Sequence, residues 1–258
     1  MDRKERSLSK PKKKSPAASQ LSKQERDRTK QDKQKQTNRM FVIGTIAFVV
    51  IIFVVLFMMA SKDSSSTTTA AEPTSFNYSE LPRLGKEDAP VKIVEFGDFK
   101  CPACAQFTGL IKPQIVKELV EPGKASFYFV NMAFIGPDSE TASLAALSIY
   151  HQNADEFWKF FDAVYANQGD ENAKWATEDY LVGLAEKEKL NIDLELLRKD
   201  IKERTYYDEL QRDIKTASGA GVNNTPTIFI NGVKSAEPFN FDAISAEVNA
   251  AAKAAEAK

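Results

Sequence analysis

Cysteine and histidine are scarce in this sequence. The 258 residues hold two cysteines, Cys101 and Cys104, and one histidine, His151. A structural zinc site needs about four ligands. These three side chains cannot close one without carboxylates or a second chain, so no metal is expected. A purely structural bridge between Cys101 and Cys104 is also a poor reading, because closing so short a loop restrains little of the unfolded chain. No cysteine stands at the exit of the apolar segment described next, which excludes a lipid-modified cysteine there. No internal repeat is visible, and no cofactor is expected. The aromatic run Glu156-Phe-Trp-Lys-Phe-Phe-Asp-Ala-Val-Tyr165 reads as core packing rather than a cofactor box.

Two segments are defined by what they lack. Residues 1–39 have few large apolar side chains and cannot bury enough surface to fold alone. They carry 14 Lys/Arg against 5 Asp/Glu, a balance of +9, which leaves −10 for the rest of a chain whose net charge is −1. Residues 40–60 contain no charge at all. At about 1.5 Å per residue, a helix of this length crosses a hydrocarbon core of about 30 Å. Lys/Arg flanking such a span mark its cytoplasmic side, so the basic head reads as a topology signal rather than a nucleic-acid-binding arm. The exit, Met58-Met59-Ala60-Ser61, matches a signal-peptidase site poorly. A retained signal anchor is therefore expected, with cleavage after Ala60 the alternative. Residues 61–75, rich in Ser, Thr and Ala, read as a flexible linker.

A folded domain is expected over 76–258. Val91-Lys-Ile-Val-Glu-Phe96 reads as a buried strand. A helix is expected from the CxxC to Val120, kinked at Pro113. Ala125-Ser-Phe-Tyr-Phe-Val130 reads as a second strand. Residues 139–218 show helical periodicity and no clear strand. Thr227 to Ile230 is a further strand, Asn231-Gly232 a hairpin turn, and a last helix starts at Phe241. His151 ends a helical stretch and reads as a surface residue. The Gly169-Asp-Glu-Asn172 cluster reads as an exposed acidic loop.

The chemistry concentrates in Cys101-Pro102-Ala103-Cys104. A strand feeding a CxxC at a helix start puts the first sulfur where backbone N–H groups and the positive end of the helix dipole favour a thiolate. The thiolate is the nucleophile of disulfide exchange. The second cysteine, one turn along, can attack the mixed disulfide that the first forms. By strand alternation Glu95 shares a face with Val91 and Ile93 and interrupts an apolar row; an exposed or ion-paired Glu is the plain alternative.

The order of strand, CxxC helix, strand, helical block, Thr-Pro, hairpin and helix resembles the DsbA-type thiol–disulfide oxidoreductases, in particular the membrane-anchored kind of single-membrane bacteria. Glu95-Phe96, Asp98-Phe99, Cys101-Pro102-Ala103-Cys104 and Val222-Asn-Asn-Thr225-Pro226-Thr227, followed by Asn231-Gly232, carry the resemblance. It implies an α/β thioredoxin fold with a helical insertion over about 139–218, preceded here by one transmembrane helix. It implies that Cys101 is the exposed attacking cysteine and Cys104 the buried resolving one. Pro226 is then the cis-proline facing the disulfide, with Thr225 before it; read alone, Pro226 would be a trans proline at a strand start. Glu95 is then the buried acid beneath the site, and Pro102 and Ala103 face substrate. Where strong oxidants of this family carry a His between the cysteines, this chain has Pro102-Ala103, so the helix N-terminus and Lys100 are expected to stabilise the thiolate.

The expected partners are secreted or surface protein thiols and a membrane redox partner, with the domain outside the cell membrane and no nucleic acid involved. A reductase or isomerase, or a non-catalytic protein-binding module on the same fold, is the alternative.

Overall fold

The structure, a computed structural model, describes residues 73–256. The basic head, the apolar span and nearly all of the linker lie outside the described residues. Among the described residues, no helix is long and apolar enough to cross a membrane.

A five-stranded mixed sheet forms the centre, in the spatial order β1-β3-β2-β4-β5. Its strands are β1 (Arg83–Leu84), β2 (Val91–Gly97), β3 (Ala125–Asn131), β4 (Thr227–Ile230) and β5 (Val233–Lys234). β2 and β3 are parallel, and the other pairs are antiparallel. β2 and β3 read as near-continuous apolar runs because both of their faces are covered. Val91, Ile93, Phe127 and Phe129 pack on one side, against helices; Val94, Phe96, Tyr128 and Val130 pack on the other, against Phe76, Val222 and Phe229. Each fully buried Phe contributes about 1.5–3 kcal/mol of transfer free energy.

Helix α1 (Pro102–Leu110) follows β2 directly. The single kinked helix expected through Val120 is instead three pieces: α1, then α2 (Lys112–Ile115) after a break at Ile111, then a π-helical turn over Val116–Val120. Pro113 has no N–H to give, and its ring crowds the carbonyl four residues earlier, at Gly109. Strand β1 is two residues long, too short to leave a period-two pattern, and the sequence did not announce it.

Between β3 and β4 stand five helices: α3 (Pro137–Gln152), α4 (Ala154–Ala166), α5 (Glu178–Lys187), α6 (Leu194–Glu203) and α7 (Tyr207–Gly219). Their boundaries follow local chemistry. The Thr177 hydroxyl accepts from the Tyr180 N–H, and the Asp193 carboxylate accepts from Glu195 and Leu196 N–H, capping α5 and α6. Asn231 and Gly232 both have positive φ, the geometry of a type I′ hairpin between β4 and β5. The last helix, α8 (Phe241–Glu256), sets Ile244 and Val248 into the core on the face shared by α1 and α4. His151 is exposed, bonded to Glu209 and stacked on Tyr206.

Candidate active site

The sheet register brings distant segments to one end of β2. Glu95 lies opposite Ile228 and Phe96 opposite Thr227 in the antiparallel β2–β4 pair. Because the strands run in opposite directions, continuing past Phe96 leads to the turn before Cys101, and stepping back from Thr227 leads to Pro226 and Thr225. The Thr225–Pro226 bond is cis. The Cys101 Sγ lies 3.4 Å from the Thr225 carbonyl oxygen, across 124 residues of sequence.

Cys101 is the N-cap residue of α1, with Pro102 at the first helical position, where a missing N–H costs nothing. Pro102 is exposed and Ala103 half-buried beside it. Both cysteines are free thiols. The neutral Cys101 thiol makes no capping bond and donates instead to Thr225 O; the thiolate is the form its surroundings favour. Its pKa falls from 9.0 to about 6. The largest cause is donation from the Cys104 thiol. Burial opposes it, and the Thr225 side chain and the N–H groups of Cys104 and Ala103 add to the lowering. The Thr225 hydroxyl is buried without another partner, which leaves it free for the sulfur.

Cys104 is the opposite case. It is completely buried, and desolvation, its bond to Cys101 and the nearby Glu95 hold its thiol well above the usual range. Glu95 is also completely buried, on the sheet face it shares with Val91 and Ile93, and neither carboxylate oxygen has a hydrogen-bond partner. Desolvation raises its pKa from 4.5 to about 8; Lys112 opposes this, while Cys101 and Asp162 add to it. Tyr165, from α4, brings a second unpartnered buried group to the same place, and its hydroxyl is pushed well above its usual range by burial and by Cys104 and Glu95. A Cβ on Gly97 would stand 2.6 Å from the Phe129 ring and 3.1 Å from the Tyr165 hydroxyl, so the strand needs glycine where these rings close over it.

Lys100 does not act as expected. Its Nζ is buried 2.7 Å from Asp138 Oδ1 and 2.9 Å from the Ala173 carbonyl, and it is not among the groups that lower the Cys101 thiol. The lysine ties the site loop to the helical block rather than facing the sulfur. Three further supports had no signature in the sequence. Asp98 accepts from the N–H groups of Lys100, Phe134 and Ile135. Asp138 accepts from Trp175 and Ala176 N–H in addition to Lys100. Gln168 donates to the carbonyls of Phe99 and Cys101, at 2.8 and 3.1 Å. A carboxylate thirty-seven residues from the amides it binds leaves no local pattern; of these three residues only Asp98 lies in a segment that carries the family resemblance. Among the described residues, no group of three or more His, Cys, Asp or Glu is placed to hold a metal ion.

Comparison with known proteins agrees with this geometry. Residues 79–250 match a family model described as Thioredoxin. The chain is 39% identical over 157 residues to the probable disulfide bond formation protein D of Bacillus cereus, a match that covers 61% of this chain and 73% of that one. It is 37% identical over 150 residues to disulfide bond formation protein D of Bacillus subtilis, covering 58% and 67%. Among solved structures, oxidised BdbD from Bacillus subtilis superposes with a TM-score of 0.66 at 32% identity, over 70% of this chain and 96% of that one. DsbA from Chlamydia trachomatis superposes with a TM-score of 0.62 at 27% identity, over 69% and 93%. A thioredoxin-fold sheet, a CxxC at a helix N-terminus and relatives of this kind lead to one assignment: the chain belongs to the thioredoxin family, among its DsbA-like thiol–disulfide oxidoreductases.

Proposed function

We propose that this thiol–disulfide oxidoreductase works in the oxidising direction, introducing disulfides into secreted or surface proteins through the Cys101–Cys104 pair. The contrast between the two cysteines carries the reading: one sulfur sits at a helix N-terminus among donors, the other is sealed beneath it beside a bare carboxyl. In the disulfide form a substrate thiolate attacks Cys101 Sγ, the Cys101–Cys104 bond breaks, and Cys104 leaves with the electron pair. Glu95 gives Cys104 its proton. A second substrate thiolate then attacks the substrate sulfur of the mixed disulfide, and Cys101 leaves as the thiolate its surroundings favour. The substrate is oxidised by two electrons and the enzyme reduced by two, so a membrane redox partner must reoxidise the pair. Thr225 and Pro226 on one side and Pro102 and Ala103 on the other frame the sulfur that substrate reaches.

The direction follows from linkage. Whatever stabilises the Cys101 thiolate stabilises the reduced enzyme and raises its potential. Without a histidine between the cysteines, the potential is expected between that of thioredoxin, about −270 mV, and that of DsbA, about −120 mV, and nearer the second. Equilibration against glutathione, read by trapping the thiols, gives the value. A potential as low as thioredoxin's, with a disulfide form clearly more stable than the dithiol form, would turn the reading toward a reductase. The basic head and uncharged span support a single-pass anchor with the catalytic domain outside the cell. Protease added to protoplasts should then remove the domain and spare the head; a protected domain refutes this topology.

A further inference from the structure

Two loops hold Cys101 from outside its own helix. One follows β3: the N–H groups of Phe134 and Ile135 donate to Asp98 Oδ2, and Asp98 Oδ1 accepts from the N–H of Lys100, the residue before the cysteine. The other follows α7 and carries Thr225, whose carbonyl oxygen stands 3.4 Å from the Cys101 sulfur. The two are tied together behind the site. Asn131, the last residue of β3, lies level with Gly97 of β2 and has no exposed surface. Its backbone N–H donates to Asp213 Oδ2 at 3.1 Å, and its side-chain Nδ2 donates to the same oxygen at 2.8 Å. Asp213 is buried too, on the face of α7 that meets the sheet. A buried carboxylate is costly unless it is paired, and the exchange chemistry does not use this one.

We propose that the Asn131–Asp213 pair is the joint that sets Thr225 against Cys101, and that Asp213 is a positioning residue for the Cys101 thiolate, acting through α7. The path from Asp213 to Thr225 is short and packed. Ala217, one turn on, is fully buried, and its carbonyl accepts from Val222 N–H at 2.9 Å. The side chains of Ala217 and Val222 pack in the cluster that holds Val94 and Phe96 of β2. Beyond them the Asn224 carbonyl accepts from the Thr227 hydroxyl at 2.8 Å, which closes the turn that carries Thr225. A slip of α7 along the sheet therefore carries Thr225 with it, while Cys101 stays with β2. The two Asn131 bonds oppose that slip; Glu209, on the same helix, is bonded to His151 of α3 instead. Burial pushes the Asp213 carboxyl up to about 6, and Glu209 adds to this, while the two Asn131 bonds and Arg212 oppose it. At neutral pH the shared acceptor is thus a carboxylate, which makes both bonds charge-assisted. Asn131 presents its donors at the expense of its own acceptor, since its Oδ1 is buried without a partner. The inference holds for either direction of exchange, because it concerns the Cys101 thiolate and not where the electrons go.

The test follows the Cys101 thiolate by its absorbance in the reduced full-length protein. Asp213→Ala removes the shared acceptor. It should raise the midpoint from about 6 by as much as Thr225→Val does, and move the equilibrium with glutathione toward the disulfide form, by about fivefold at neutral pH for a full pH unit. The sign of the shift separates the roles. Taking away a carboxylate that acted through its charge alone would lower the midpoint. A merely structural role would weaken the protein in urea and leave the titration where it was. In the Thr225→Val background Asp213→Ala should add nothing further, because both act through one donor. Asp213→Asn keeps an acceptor for the two donors and offers an amide to Asn131 Oδ1, so it should bring the midpoint back to the wild-type value. Should Asp213→Ala fail to fold, Asn131→Ala, which keeps the backbone bond, takes its place, with a smaller rise expected and the same outcomes deciding. An unmoved or lowered midpoint, or a full second shift in the Thr225→Val background, overturns the proposal.

Discussion

Two neighbouring regions bury carboxylates and treat them in opposite ways. In the loop between β2 and α1, Asp98 accepts three backbone N–H bonds, and across from it Asp138 accepts the Lys100 ammonium and two more amides. Burial works against its charge, but those donors hold the Asp138 carboxyl below its usual range. Two strand residues before that loop, Glu95 receives no bond at all and is pushed to about 8. The partnered acids fix geometry. The bare acid stabilises nothing and is left able to exchange a proton. A buried polar group without a partner is costly, so its survival beside the Cys104 thiol is the mark of use rather than support.

That contrast can be broken experimentally. The largest effect belongs to the partnered side. Lys100→Met strands Asp138 as a buried unpaired charge and should cost about 3–5 kcal/mol in urea unfolding, while the Cys101 thiolate, followed by its absorbance, still titrates near 6. A large move of the thiol would restore the lysine to the sulfur's surroundings. Next comes the bare side. Glu95→Gln should slow the Cys104-dependent step about 100-fold and leave the fold at least as stable at neutral pH; unfolding near that of Lys100→Met would place Glu95 among the supports.

The third effect is a slope. Glu95 is protonated in the folded dithiol form up to about pH 8 but ionises near 4.5 when unfolded. Between those values the native state binds the extra proton, so this group's contribution falls as pH rises, by up to about 1.4 kcal/mol per pH unit. Glu95→Gln should flatten that part of the stability curve of the reduced protein; an unchanged slope would mean that the carboxyl is not held neutral. The smallest effect is at the sulfur itself. Thr225→Val removes one donor among several, so the Cys101 midpoint should rise from about 6 by less than about one pH unit. A drop, or no change, would remove the hydroxyl from the account of the thiolate.

Much of the fold was legible because its strands are short apolar runs bounded by turn chemistry. β4 from Thr227 to Ile230, the Asn231-Gly232 turn and the helix from Phe241 stand where propensity and pattern put them. β1 has no signature in the sequence because two residues carry no period. Apolar spacing that continues past Pro113 predicts one long helix after the CxxC, whereas the backbone opens at Ile111 before the ring. Lys100 departs from expectation for a different reason: its place next to Cys101 in sequence says nothing about which way a long side chain turns.

The order of residues settles what is local and covalent. It set the spacing of Cys101 and Cys104, placed them at a helix start after a strand, and put Glu95 in step with Val91 and Ile93, because two sulfurs one helical turn apart and alternation along a strand need no tertiary information. Which charges those groups feel depends on how the folded chain brings distant segments together. The antiparallel β2–β4 register brings Thr225 to Cys101. The helical block supplies Gln168 to the site loop and takes Lys100 away from the sulfur. Helix α2 brings Lys112, and α4 brings Asp162 and Tyr165, near enough for their charges and the bare carboxyl to act on one another. Burial and long-range juxtaposition set the pKa values, and neither is written in the order of residues near the cysteines.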